Sequence, residues 1–395
     1  MTPLLISRYT TTTCLGRGLE PLHDAMLAGR SGLKPCAFET VELETWIGEV
    51  DGCDDEELPA RLNTFDCRNN RLAQIGLTQD GFAEAVRVAA ERYGRQRIGI
   101  FLGTSTAGIL QTELAYRRRD PASGALPPDF HYTGTHNTFS VAAFVQAWLG
   151  LAGPAVVVSS ACSSSAKVFA SAARMIAAGL IDAALVGGVD SLCLTTLYGF
   201  NSLELTSSQA CRPFDRTRDG ISIGEAAAFA LLERAPDELP QDAILLLGVG
   251  ESSDAYHMSS PHPEGRGARQ AMAAALASAG LPAGDIDYIN LHGTATPNND
   301  AAEGMAVTAL FGATTPCSST KGATGHTLGA AGGVEAVIAA LALRDGFLPA
   351  GAGTRDPEAG LDYLLAPRRQ PVRRVLSNSF GFGGTNCSLI LGRAG

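Results

Sequence analysis

Lysine is scarce in this sequence. Only three of the 30 basic residues are lysine (Lys34, Lys167 and Lys321) and the rest are arginine, so a lysine inside a motif is less often filler. Basic residues are also outnumbered, 30 to 40, and the net charge of −10 argues against a broad nucleic-acid surface or a nucleic-acid partner. Charged residues make up 18% and hydrophobic ones 45%, a balance that excludes a disordered chain. The nine cysteines are odd in number and scattered. They show no Cys-x-x-Cys and no Cys/His pairing at metal-ligand spacing, so a reduced protein without a metal site is expected. The start, MTPLLISRYTTTTCLG, lacks a basic segment followed by a long apolar run, so no signal peptide is expected. The most apolar region, 139–161, is broken by Gln146, Gly150 and Pro154. It reads as a core helix and then a core strand, and the expectation is a cytoplasmic protein with no stable membrane insertion.

What is plentiful is glycine, 45 of 395 residues against a usual ~7%, which suggests many tight turns and close backbone approaches. The length suits about two to three domains or one large α/β unit. Leu4–Thr13 reads as a strand and 19–29 as a helix stopped by Gly29. Residues 36–60 read as acidic surface loop, and 77–94 as a helix with Thr78 at its N-cap and Gly94 as its stop. RIGIFLG reads as a buried strand, and 105–138, with its run of three arginines, as an excursion from the main sheet. From 155 the pattern is strand, small-residue turn, helix, glycine and strand, a βαβ unit with continuously apolar strands. After 234–242 it restarts: strand, helix over 266–279, strand, a long helix over 330–345, and a strand at RRVLSNS. Two related α/β halves, 1–240 and 241–395, are plausible on this pattern.

Cys162 follows the strand AVVVSSA and opens a helix rich in small residues. A thiol there meets unsatisfied helix N–H groups and the helix dipole, which favour thiolate, lower the pKa and offer donors to an oxyanion. The same position also suits a small, inert buried cysteine. His292 ends an apolar strand in NLHGTATPNND, and His326 lies in the glycine-rich turn KGATGHTLGAAG. A lone histidine is usually structural; two at such junctions, together with a helix-start cysteine, point to chemistry. In SNSFGFGGTN, Gly381, Gly383 and Gly384 free the backbone around Phe382 so that its ring can swing. An ordinary turn with two core phenylalanines, or a phosphate-binding loop without the usual Lys-Ser/Thr, are the other readings.

Five segments in order, SSACSSSAKVFA, RPFDRTRDGISIGEAAA, NLHGTATPNNDAAE, STKGATGHTLGAAGGVEA and SNSFGFGGTN, resemble the motif set of the β-ketoacyl-acyl-carrier-protein synthases, in particular the Cys-His-His condensing enzymes of fatty acid and polyketide synthesis. The resemblance spans essentially the whole chain. It implies a thiolase-like α/β fold, five-layered α-β-α-β-α, built of two similar halves, with the nucleophile in the first and both histidines in the second. It implies decarboxylative condensation of an acyl thioester with malonyl carrier protein. Cys162 would take the acyl group, and His292 and His326, as neutral imidazoles, would donate to the malonyl thioester oxygen. The N–H groups of Cys162 and Phe382 would form the oxyanion hole, and Phe382 would be the gate. Lys321, paired with Glu335, would orient the network; Thr294 and Thr296 would hold the phosphopantetheine arm; Asp300 would be structural support. No cofactor is implied beyond the phosphopantetheine carried by the partner, an acyl carrier protein. A homodimer or a heterodimer with a paralogous subunit is expected.

Three departures from the resemblance stand out: Lys167 replaces a usual histidine, Thr-Ala-Thr replaces Thr-Ser-Thr, and Arg8–Cys14 replaces a glycine-rich turn. Carrier proteins are acidic, so Arg68, Arg71, Arg117, Arg118 and Arg119 are the docking candidates. Three other readings share part of the pattern: a thiolase-like coenzyme A acyltransferase, with Cys387 as a second cysteine; a chain-length partner subunit, which lacks the nucleophile; and a Cys-His hydrolase, which leaves the second histidine and Lys321 unexplained.

Overall fold

The computed structural model describes residues 1–394. The strands of the main sheet fall into two runs. In the first, β1 (Leu4–Thr13), β2 (Ile98–Gly103), β3 (Ala155–Val158), β4 (Ala183–Asp190) and β5 (Ala226–Arg234) lie in the order β1-β5-β4-β2-β3. In the second, β6 (Ile244–Ser253), β7 (Tyr288–Asn290), β8 (Pro316–Ser318), β9 (Arg374–Gly381) and β10 (Thr385–Arg393) lie in the order β6-β10-β9-β7-β8. Each run reads antiparallel, antiparallel, parallel, parallel from its first strand outward. Even the register shift recurs, between Ile6 and Arg8 in β1 and between Leu246 and Gly248 in β6. β1 and β6 pair antiparallel and join the runs into one sheet.

Alternation along the strands builds the layers. Ile98, Ile100 and Leu102 pack outward with α1 (Arg68–Leu77), α2 (Phe82–Tyr93) and α3 (Ser140–Leu149), whereas Phe101, Ala184 and Val186 face inward. The inward faces of both runs enclose α4 (Ser164–Ala177). α5 (Arg266–Ala279) and α6 (Pro297–Phe311) cover the outer face of the second run, and α7 (Ala331–Asp345) lies beside α4 in the middle layer. The order is helix, sheet, helix, sheet, helix. α7 is buried from Ala331 to Leu343, which explains why its sequence is apolar all round. Gly332 lets α7 close on α4: a Cβ there would lie 2.8 Å from the Cβ of Ala166.

Two local expectations change. The helix expected over 77–94 begins at Phe82, because Leu77 ends the preceding helix, with Thr78 as its C-cap. Asp80 (φ 53°) and Gly81 (φ 67°) turn the chain through left-handed conformations, and the Asp80 carboxylate accepts from Thr10 Oγ1 and Leu19 N–H. The segment 36–60, expected to be loop, contains the short strand Trp46–Gly48. All nine cysteines are free. No helix among the described residues is long and apolar enough to cross a membrane.

Candidate active site

Small side chains let the chain turn sharply between β3 and α4. Ser164 Oγ accepts from Ser160 N–H at 2.9 Å, and Ser163 Oγ donates to Ser160 O at 2.9 Å. Ala161 sits at φ 52°, a strained conformation for a non-glycine residue, and presents Cys162 just ahead of the helix. Two similar turns face it from the second run: Ala295 (φ 66°) separates Thr294 from Thr296, and Leu328 (φ 50°) follows His326.

These turns converge. Cys162 Sγ lies 3.0 Å from His326 Nε2, and the two imidazoles pack edge to face with centroids 5.4 Å apart. All three residues are buried yet line a cavity of ≈300 Å³. The cavity's apolar lining includes Phe200, Leu203, Leu205 and Ile221; its polar lining includes Thr294, Thr296, Asn298 and Asn299. The Thr294 and Thr296 hydroxyls lie 2.9 Å apart. Phe382 is half-buried against Phe200, at 5.4 Å between centroids. Gly383 (φ 79°) and Gly384 (φ 73°) turn the chain next to it.

Lys321 is buried and makes three contacts. Its Nζ donates to Glu335 Oε1, to His292 O at 2.5 Å and to His292 Nδ1 at 3.3 Å. An ammonium has no lone pair, so His292 Nδ1 must accept and the ring proton sits on Nε2. His326 Nδ1 has no partner among the described residues, so either tautomer is open to that ring. Burial first, then the Lys321 charge, hold both imidazoles well below the ordinary histidine value; the neighbouring His326 adds to this at His292. Both are therefore neutral, as expected. Burial also lifts the Glu335 carboxyl to about 7, against the pull of Lys321.

The thiol departs from expectation. Burial pushes Cys162 up to about 11, and Lys321 and the N–H groups of Phe382 and Cys162 lower it only in part. Desolvation of the thiolate outweighs the helix-start effect, so the resting group is a thiol. The three donor atoms lie within 4.8 Å of one another, a spacing a metal could use. A cation held there would share His292 with the Lys321 ammonium, and His326 Nδ1 offers no second-shell partner among the described residues. The set suits proton transfer better than metal binding.

Two supporting carboxylates escaped the sequence reading. Glu303 accepts from the N–H groups of His292 (2.7 Å) and Gly293 (2.8 Å) and from Asn378 Nδ2 (3.0 Å). Burial raises it to about 7. Asp190 Oδ1 accepts from Ser105 N–H at 2.7 Å and Thr106 N–H at 2.9 Å, and its Oδ2 accepts from Gly329 N–H at 2.5 Å. A lone acid at the end of the apolar strand AALVGGVD was the available signal. Asp300 supports the threonine turn as expected, accepting from Thr294 N–H at 3.0 Å and Phe214 N–H at 2.7 Å.

The docking candidates fare differently. Arg68 is 1% exposed and its guanidinium forks onto Glu225 (2.9 and 2.6 Å), so it presents no charge at the surface. This corrects the expectation for Arg68: a buried partner has claimed the side chain. Arg71 is partly buried and paired with Asp66 at 2.6 Å. Arg117, Arg118 and Arg119 are exposed; Arg118 pairs with Asp129 at 3.1 Å. Cys387 is buried within β10 and does not line the cavity, which disfavours a second catalytic cysteine.

A doubled α/β sheet with a thiol at the start of a central helix, faced by two neutral imidazoles from the other run, defines a thiolase-like protein of the Cys-His-His class. Residues 9–238 match the beta-ketoacyl synthase N-terminal domain and residues 244–354 its C-terminal domain. The chain belongs to the beta-ketoacyl synthase family. It is 34% identical to 3-oxoacyl-[acyl-carrier-protein] synthase 2 of Coxiella burnetii, over 99% of this chain and 98% of that one. It is 33% identical to the Vibrio cholerae protein of the same name, over 96% of each. Among solved structures it is similar to a chain of the complex between the ketosynthase ApeO and its chain length factor ApeC from Xenorhabdus doucetiae. That similarity has TM-score 0.89 and 40% identity, covering 100% of this chain and 98% of the other.

Proposed function

We propose that the protein is a condensing enzyme that joins an acyl thioester to malonyl-acyl carrier protein with loss of CO₂. The observation that carries this reading is the 3.0 Å contact between Cys162 Sγ and His326 Nε2, beside a His292 whose Nε2–H is aimed by Lys321. In the first half-reaction Sγ attacks the acyl thioester as His326 Nε2 takes its proton. The pantetheine thiol leaves and recovers that proton, and the oxyanion rests on the N–H groups of Cys162 and Phe382. In the second, with His326 now in its Nε2–H tautomer, the N–H groups of His292 and His326 hold the malonyl thioester oxygen. The bond to the carboxylate breaks, CO₂ departs, and its electron pair forms the enolate. The enolate carbon attacks the acyl carbon, and Cys162 leaves as thiolate and takes up a proton from solvent. Thr294 and Thr296 hold the arm of the carrier, and no further cofactor enters.

The likeness to the ApeO–ApeC complex supports a second component to this reading: pairing with a paralogous chain-length subunit, in fatty acid or specialised polyene or polyketide synthesis. β3 is one edge of the main sheet and is only half-buried, which suits a partner chain. The test is intact-mass analysis with acyl and malonyl carrier proteins. Acylation at Cys162 followed by a carrier-bound product two carbons longer is expected, and a protein that never acquires the acyl mass refutes the reading.

A further inference from the structure

We propose that the buried Arg68–Glu225 ion pair is a positioning device for His326, setting the strand from which that imidazole hangs. The inference rests on the role given to His326 above. His326 has no regular element of its own: its N–H donates to Ser222 O at 2.7 Å, and its carbonyl accepts from Gly224 N–H at 3.0 Å. It therefore extends the short strand Ile223–Gly224, whose other edge pairs in parallel with Trp46–Gly48. A slip of that strand must move the catalytic turn. The fit is tight enough to transmit it: a Cβ on Gly224 would lie 2.4 Å from Thr324 O, two residues before His326.

Glu225 is the next residue and is fully buried. Its Oε1 accepts from Val50 N–H at 2.9 Å and Arg68 Nη2 at 2.6 Å, and its Oε2 accepts from Leu192 N–H at 2.9 Å and Arg68 Nε at 2.9 Å. One carboxylate thus ties the His326 strand to the chain after Gly48, to the chain after β4 and to the first turn of α1. Glu49 (3.5 Å), Asp54 (2.6 Å) and the Phe38 ring (5.0 Å) complete the surroundings of Arg68. A buried ion pair is a weak source of stability, since an apolar pair of equal volume often does as well. What the two-pronged arginine–carboxylate contact adds is direction, and a 1 Å error at the Sγ–Nε2 contact is the kind that costs about 100-fold in rate.

The test is the charge-balanced double variant Arg68→Met/Glu225→Gln, which leaves no lone buried ion. Folding is checked by thermal unfolding. Two rates are then measured: acylation of Cys162 by an acyl thioester, read by intact mass, and CO₂ release from malonyl carrier protein. Both are expected to fall about tenfold or more, with KM for the carrier within about twofold of the parent. Arg97→Met, which breaks the half-buried Arg97–Asp182 pair far from the cavity lining, is expected to leave both rates unchanged. A folded double variant with parental rates overturns the proposal. Should the double variant fail to fold, Arg68→Lys, which keeps the charge and loses the fork, is judged by the same two rates. A parent protein that releases no CO₂ refutes the condensing reading instead, while the acylation rate still decides the positioning.

Discussion

Cys162 is a thiol at rest, and that has a measurable consequence. Burial places it at about 11 against an ordinary 9.0. The difference leaves roughly 100-fold less thiolate than an ordinary cysteine carries, about one molecule in a thousand at pH 8. Iodoacetamide labelling of Cys162, followed by intact mass, should therefore climb close to tenfold per pH unit through the neutral range. It should show no plateau below about pH 10. Lys321 is the strongest group pulling the thiol down and also holds both imidazoles down. In Lys321→Met the thiol should rise further, and labelling at about pH 8 should slow severalfold. The variant should still fold: Glu335, already near 7, takes up a proton when its partner is lost rather than remaining a buried anion. A labelling rate that levels off between about pH 6 and 8 in the parent protein would refute the reasoning, because it would mean that a thiolate stands preformed and His326 is not needed to remove the proton.

Other outcomes follow from the same geometry. Cys162→Ala should lose acyl transfer, read as absence of the acyl mass, yet still release CO₂ from malonyl carrier protein. His292→Ala should lose CO₂ release by about 100-fold or more while Cys162 still acylates; His326→Ala should impair both, since its Nε2 touches Sγ. Glu303 is raised to about 7, so the folded state holds its proton more tightly than the unfolded chain. Its contribution is therefore largest below the unfolded value near 4.5 and is lost as pH rises to about 7. Glu303→Gln should flatten that decline in denaturant titrations at about pH 5 and pH 7, and an unchanged slope would contradict it.

The chemistry lay in linear order. Cys162, His292, Lys321, His326 and Phe382 each stand at a strand or turn junction, in a motif whose small residues are needed for the turn itself, and such local requirements leave a local trace. The repeated α/β pattern was legible for the same reason, since apolar strands and helix stops act over a few residues. Partnerships across the fold left no such trace. Arg68 reads as a surface charge because its counter-ion, Glu225, lies far along the chain between two apolar strands. Glu303 reads as one more acid on a helix until His292 is folded against it.

The ionisation of the nucleophile is the sharpest case. From residue order alone a helix start lowers a cysteine's pKa, and that effect is present here. The tertiary structure decided the sign, because the pocket that collects the thiol and two imidazoles also takes the sulfur out of water, and the lost hydration outweighs the favourable dipoles and the Lys321 charge. Residue types and their order determined which groups could react; enclosure by two packed halves determined the protonation state in which they wait.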